Sequence, residues 1–192
     1  MFDQSIQRIG FCCKYLEADQ TLPKKVLEEA QRPYNTRSTT ITWLNRQDKD
    51  VAEQRLWDLM VHNIQSYYKL VEYTGSLIPQ RRMVRLGSDC LPAFTEKDWS
   101  YFWQKPDVQA YCEKEFIKVG DLARKLDVKL SFHPGQFCVL ASDNPDVVER
   151  SIEEFEYHVS MARWMGYGKQ FQDFKCNVHI SGRKGYQGII DV

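Results

Sequence analysis

Short apolar stretches that end in glycine or proline alternate with long amphipathic stretches, and this alternation is the strongest constraint on the fold. Residues 7–13, 82–89, 128–132 and 174–180 read as strands. Between them, residues 50–74, 106–126 and 144–165 read as helices, with apolar residues at a spacing of three and four. A further short helix is expected at residues 24–31. Strands that alternate with long helices form a parallel sheet joined by right-handed crossovers. The 192 residues suffice for one domain with a core of its own, and no internal period suggests a repeat array.

The helices carry explicit signals. Leu56, Leu59, Met60, Asn63, Ile64, Tyr67 and Val71 form one stripe; Val108, Cys112, Phe116, Val119, Ala123 and Leu126 form another. On the third helix, Val148, Ile152, Phe155, Val159 and Ala162 are expected to point inward. Asn144-Pro145 opens that helix with a capping residue followed by proline, and Gly166 closes it. Trp99, Tyr101, Phe102 and Trp103 are expected on an aromatic loop, where they serve either the core or base stacking.

The third strand runs into His133-Pro134-Gly135-Gln136-Phe137, and the fourth into His179 followed by Ser181-Gly182. Each histidine therefore ends a strand in front of a glycine-containing loop. In parallel α/β folds sites form at the carboxyl ends of strands. Two imidazoles from neighbouring strand ends could serve one transition metal. They do not complete a hydrolytic centre, which takes three or more ligands and a water. The strand-end carboxylates in view are Asp89 and Asp191. His62 and His158 lie on helices, away from strand ends, and read as packing or surface residues.

Other chemistry finds no template: the chain has no G-x-G-x-x-G, P-loop or G-x-S-x-G. Six cysteines without a C-x-x-C pair read as reduced thiols of a cytoplasmic protein. No signal peptide opens the chain, and no apolar run approaches the roughly 20 residues of a membrane helix. Zero net charge excludes a generally basic coat but leaves room for a local one. The loop Arg32-Pro33-Tyr34-Asn35-Thr36-Arg37-Ser38-Thr39-Thr40 combines arginines and hydroxyls suited to phosphate.

Taken together, these motifs resemble the UV damage endonucleases, relatives of endonuclease IV in a metal-dependent TIM-barrel superfamily. The likeness rests on Arg8-Ile9-Gly10-Phe11-Cys12, Thr39-Thr40, Arg85-Leu86-Gly87-Ser88-Asp89, His133-Pro134-Gly135-Gln136-Phe137, Glu156-Tyr157-His158 and Val178-His179-Ile180-Ser181-Gly182. It implies a DNA repair enzyme that nicks damaged double-stranded DNA on the 5′ side of UV photoproducts with divalent ions, usually Mn2+. It implies His133 and His179 as metal ligands, and Phe11, Gln136 and Phe137 as lesion-binding residues. Phe11 and Phe137 stand where the family usually has tyrosine, and a histidine that the family carries after its second strand is missing from Leu91-Pro92-Ala93-Phe94-Thr95. A TIM barrel takes eight strands and about 250 residues. The expectation is therefore an incomplete barrel holding the first four βα units, as one domain over residues 1–192. A half-barrel would expose an apolar face and two strand edges, so self-association or a second polypeptide is expected. Two other readings stay open: a sugar isomerase or epimerase of the same superfamily, and a non-catalytic DNA-binding fragment.

Overall fold

In a computed structural model, residues 7–135, 138–170 and 173–177 are described. The elements follow in the order β1 (Phe11–Cys12), α1 (Lys24–Gln31), α2 (Ile41–Leu44), α3 (Lys49–Ser76), β2 (Met83–Arg85), α4 (Ser100–Trp103), α5 (Pro106–Lys125), β3 (Lys129–Phe132), α6 (Pro145–Trp164) and β4 (Lys175–Cys176). The four strands form one parallel sheet in the order β1-β2-β3-β4. Each strand thus pairs with the next in sequence, across a helical connection, as the alternation requires.

Strand alternation divides the sheet's two faces. Val84, Leu86, Leu130 and Phe132 point toward the helices and are buried with Leu56, Met60, Tyr67 and Phe116. The stripes expected on α3 and α5 are the buried ones, apart from Leu126, which is only partly covered. At Gly120 α5 passes so close to the end of α6 that an added Cβ would fall on the Met165 carbonyl. Asn144 caps α6 through a bond from the Asp146 amide at 2.9 Å, and Gly166, at φ 82°, terminates it.

The strands are shorter than their apolar stretches. Past Leu86, the carbonyls of Gly87, Ser88 and Asp89 are taken by the side chains of Tyr67, Tyr157 and Asn63. Helix side chains replace the neighbouring strand there, so the sheet ends and a loop begins. β4 is described only as far as Asn177, so the remainder of the expected fourth strand, with His179, lies outside the described residues.

Three expectations are corrected. The aromatic stretch is not simply a loop: Ser100–Trp103 is helical, and Trp99, Phe102 and Trp103 are core residues. The buried face of α6 is turned from the expected one. Ser151, Tyr157, His158 and Met161 are buried, whereas Ile152 is 51% exposed. Polar groups take that face because Ser151 and Glu154 bond the loop after β3 and Tyr157 bonds the loop after β2. Finally, the sheet face opposite the helices is polar. Its central register row is Cys12, Arg85, Ser131 and Lys175, where an apolar face was expected.

Candidate nucleic-acid interface

The loops that leave the carboxyl ends of β1 and β2 are tied together by one face of α3. Asn63 is fully buried and is the main tie. Its Oδ1 accepts the Arg37 amide at 2.7 Å, while Nδ2 donates to the carbonyls of Arg37 and Cys90, each at 2.8 Å. The adjacent His62 donates through Nε2 to the Asn35 carbonyl at 3.1 Å, and one turn on Ser66 Oγ reaches the same carbonyl at 3.3 Å. Asn35 passes the restraint on: its Oδ1 accepts the Tyr15 amide at 2.8 Å, and its Nδ2 donates to the Tyr15 carbonyl at 3.0 Å. Thr36 Oγ1 also donates to Asp89 Oδ1 at 3.2 Å. Three segments, near Tyr15, Arg37 and Asp89, therefore move as one body at the sheet's rim.

This rim has cationic surroundings. Burial lowers the pKa of His62; the bond to Asn35 opposes that shift, and Arg37, Arg32 and Lys69 add to it through their charge. A neutral imidazole beside arginines fits a surface that receives phosphates. Tyr15, Tyr34 and Tyr73 pack as a cluster beneath it, with Tyr15 and Tyr34 ring centroids 4.5 Å apart. Phe11 is half-buried and meets Tyr73 edge-on at 6.2 Å, so its ring belongs to the edge of this cluster on the helix side of β1.

The loop after β3 rests on α6. His133 is half-buried directly beyond Phe132. Glu154 accepts a hydrogen bond from the Gly135 backbone, yet burial still raises its pKa. Ser151 Oγ accepts the Val139 amide at 2.8 Å and donates to the Val147 carbonyl at 2.7 Å. His158 Nδ1 donates to the Glu154 carbonyl at 2.7 Å, which leaves Nε2 as the bare nitrogen. That nitrogen is buried without a hydrogen-bond partner among the described residues. Burial lowers the pKa of His158; the Glu154 bond opposes this, and the nearby His133 adds to it.

Of the expected site residues, His133 and Phe11 are described; Gln136, Phe137 and His179 lie outside the described residues. Gln136 and Phe137 fall between two segments fixed to α6, since Gly135 bonds Glu154 and Val139 bonds Ser151. Among the described residues no three His, Cys, Asp or Glu side chains gather as a metal site. His133 fits as one donor, and the described residues do not complete the set. Burial pushes the Cys90 thiol far up and that of Cys112 up to about 12, so neither is an activated nucleophile.

Sequence reasoning passed over Ser151 and Glu154, and read Asn63 only as part of the buried stripe and His158 only as a packing or surface residue. The available signal was a polar residue on an otherwise buried helix face. Such a group needs partners, and a loop end is the nearest supply of unpaired backbone.

The model of the family described as UV-endonuclease UvdE matches residues 8–189. The chain belongs to the UvdE family. A UV DNA damage endonuclease of Bacillus velezensis is 26% identical over 179 residues, covering 93% of this chain and 49% of that protein. Its counterpart in Bacillus pumilus is 28% identical over 103 residues, covering 54% of this chain and 30% of that one. The crystal structure of SacUVDE superposes with a TM-score of 0.71 at 18% identity, over 96% of this chain and 53% of that chain. The last match shows the shared fold. This UvdE-family chain spans about half the length, or less, of the curated relatives it matches. No described helix is long and apolar enough to cross a membrane.

Proposed function

We propose that this chain supplies the first four βα units of a TIM-barrel endonuclease that nicks DNA 5′ to UV photoproducts with divalent metal ions. One observation carries the reading. In a chain matched to the UV-endonuclease family over residues 8–189, His133 ends a strand and opens a loop that α6 holds at Gly135 and Val139. The proposed ligand and the two flanks of the proposed recognition loop are thereby held against one helix.

His133 and His179 are the proposed metal ligands from this chain, with Mn2+ or another divalent ion as the cofactor. The bound ion supplies Lewis-acid polarisation of a phosphate and a hydroxide near neutral pH. The chain's own residues do the positioning. Glu154 and Ser151 hold the β3 loop, so Gln136 and Phe137 can press into a weakly stacked step of the duplex. Arg37, fixed through its backbone by Asn63, receives the DNA backbone. Phe11 is proposed as an aromatic lesion contact; its half-exposed ring borders the Tyr15 cluster at the same rim. The isomerase reading has no support in the named relatives, which are UV DNA damage endonucleases.

The test uses Mn2+ binding and nicking of irradiated supercoiled plasmid side by side. The full chain should bind Mn2+, and His133→Ala or His179→Ala should weaken it by tenfold or more. Either substitution should abolish nicking in whatever assembly nicks. Unchanged metal affinity and unchanged nicking in both variants would refute the ligand assignment.

A further inference from the structure

Arg85 ends β2, which lies between β1, whose loop leads to Arg37, and β3, which runs into His133. Val84 and Leu86 are buried among the helices, so the Arg85 side chain takes the opposite, polar face. His133 comes to the same face. The ladder continues past the strand ends, from the Leu86 amide to the Ser131 carbonyl and from the Asn177 amide to the Phe132 carbonyl, each at 2.9 Å. The alternation that buries Phe132 therefore turns the next residue away from the helices.

Arg85 is half-buried; its Nε is buried without a hydrogen-bond partner, and the side chain makes no ion pair among the described residues. Asp89, the carboxylate nearest in sequence, is held by Thr36 Oγ1 at 3.2 Å. Small residues surround the arginine. Its neighbours in the register row are Cys12 and Ser131, and Gly87, the next residue on its own face, has no side chain. A Cβ at Gly87 would crowd Asp89 Oδ1 at 3.2 Å. Gly87 lies about 7 Å beyond Arg85 along the strand, within the span of an extended arginine side chain. The groove at the amino end of the sheet is lined by Arg8, Met83 and Lys129, and Arg85 is not part of it.

A guanidinium donates two parallel hydrogen bonds to two oxygens of one phosphate. A DNA strand that passes from the Arg37 surface to His133 crosses the end of β2, where this guanidinium has no protein anion among the described residues. We infer that Arg85 holds the phosphodiester brought to His133, the one that is cut, by its two non-bridging oxygens. The inference rests on the nicking activity proposed above and adds a substrate-holding residue to it.

Two lesion duplexes test it, alike except that the phosphate 5′ to the photoproduct is native in one and a neutral methylphosphonate in the other. DNA binding by the full chain is measured without metal, so that nothing is cut, and Mn2+ affinity is measured separately. On native DNA, Arg85→Gln should bind about tenfold more weakly than wild type, the loss of one charge-assisted contact. Wild type should lose a similar factor on the methylphosphonate duplex. Arg85→Gln should lose little more there, since each change removes one side of the same contact. Arg85→Lys keeps the charge without the fork and should fall between; should Arg85→Gln fold poorly by circular dichroism, Arg85→Lys takes its place in the comparison. Mn2+ affinity should stay at the wild-type value. Equal methylphosphonate losses in wild type and variant would overturn the assignment. So would weaker Mn2+ binding with unchanged DNA binding, which would make Arg85 a support for the metal site. A wild type that prefers the lesion yet ignores the methylphosphonate sinks the role of Arg85 and leaves the proposed activity standing. A wild type without lesion preference that keeps the coupling between Arg85 and the phosphate upholds the contact and counts against that activity.

Discussion

Replacing Asn63 by leucine should cost more than any other single-residue change at the rim. The two side chains share the same branched four-atom skeleton, leucine being the larger, so the substitution chiefly removes the hydrogen bonds. Three good bonds vanish, to the Arg37 amide, the Arg37 carbonyl and the Cys90 carbonyl, together with a long one to Asp89 at 3.4 Å. A net hydrogen bond is worth about 1 kcal/mol, and a buried group left unpaired costs about 1–3 kcal/mol. Arg37 is exposed, so water can recover part of its loss, whereas Cys90 is fully buried and its carbonyl cannot be resolvated. The gross loss is roughly 3–5 kcal/mol. The more apolar leucine returns about 1 kcal/mol by burial, leaving a net destabilisation of roughly 2–4 kcal/mol. For a chain of this length each kcal/mol moves Tm by about 2–4 °C, so a fall of roughly 4–16 °C is expected. Urea unfolding should show a lower midpoint at unchanged slope. Trypsin should also cleave after Arg37 faster than in wild type, since the loop has lost its anchor. Asn63→Asp retains the acceptor for the Arg37 amide but sets a carboxylate against carbonyls, so it should not rescue. A midpoint shift worth less than about 1 kcal/mol would show that α3 does not hold the two loops together.

Other outcomes follow from the same geometry. Arg37→Gln should lower affinity for duplex DNA about equally for damaged and intact substrate, and should reduce the slope of log K against log salt by about 0.9; an unchanged slope would remove Arg37 from the phosphate surface. Gln136→Ala should weaken discrimination of irradiated from intact duplex more than general binding, and equal losses on both would count against the wedge. Glu154→Ala should free the Gly135 amide and speed hydrogen exchange across residues 133–142, with little effect near Arg37, where α6 makes no tie. His62 has a folded pKa below its unfolded value, so the unfolded chain binds more protons and the imidazole's contribution to stability is lost as pH falls below about 6.5. His62→Gln keeps a donor for the Asn35 carbonyl and cannot titrate, so its stability should vary less between pH 7 and 5; an identical pH profile would mean that His62 is not the group involved.

Much of the scaffold was legible because two periods dominate it. The stripe from Leu56 to Val71 has no competing pattern, so α3 and its buried face follow directly from spacing. Strand lengths were not legible, because they depend on which donors reach the carbonyls of Gly87, Ser88 and Asp89, and those donors come from residues 20 to 69 positions away. The aromatic stretch was ambiguous for a similar reason: burial of Phe102 and Trp103 is decided by α5 and by the segment at Phe94, not by their own neighbours.

The rotation of α6 shows how a site hides inside an amphipathic pattern. Reading apolar residues as inward selects Val148 and Ile152. The helix instead buries Ser151 and His158 and half-buries Glu154 against the β3 loop. Apolar burial alone would favour the expected face, so the polar bonds must outweigh it. They do so because the loop after β3 carries backbone groups that no strand reaches: the Gly135 and Val139 amides would otherwise meet only water or apolar neighbours. Asn63 on α3 follows the same rule at the other loops. In both helices the polar residue on the buried face marks the place where a loop is fastened. These fastened loops lie at the carboxyl ends of the strands, where His133 stands, so a polar exception on a helix face points to the same rim as the proposed motif does.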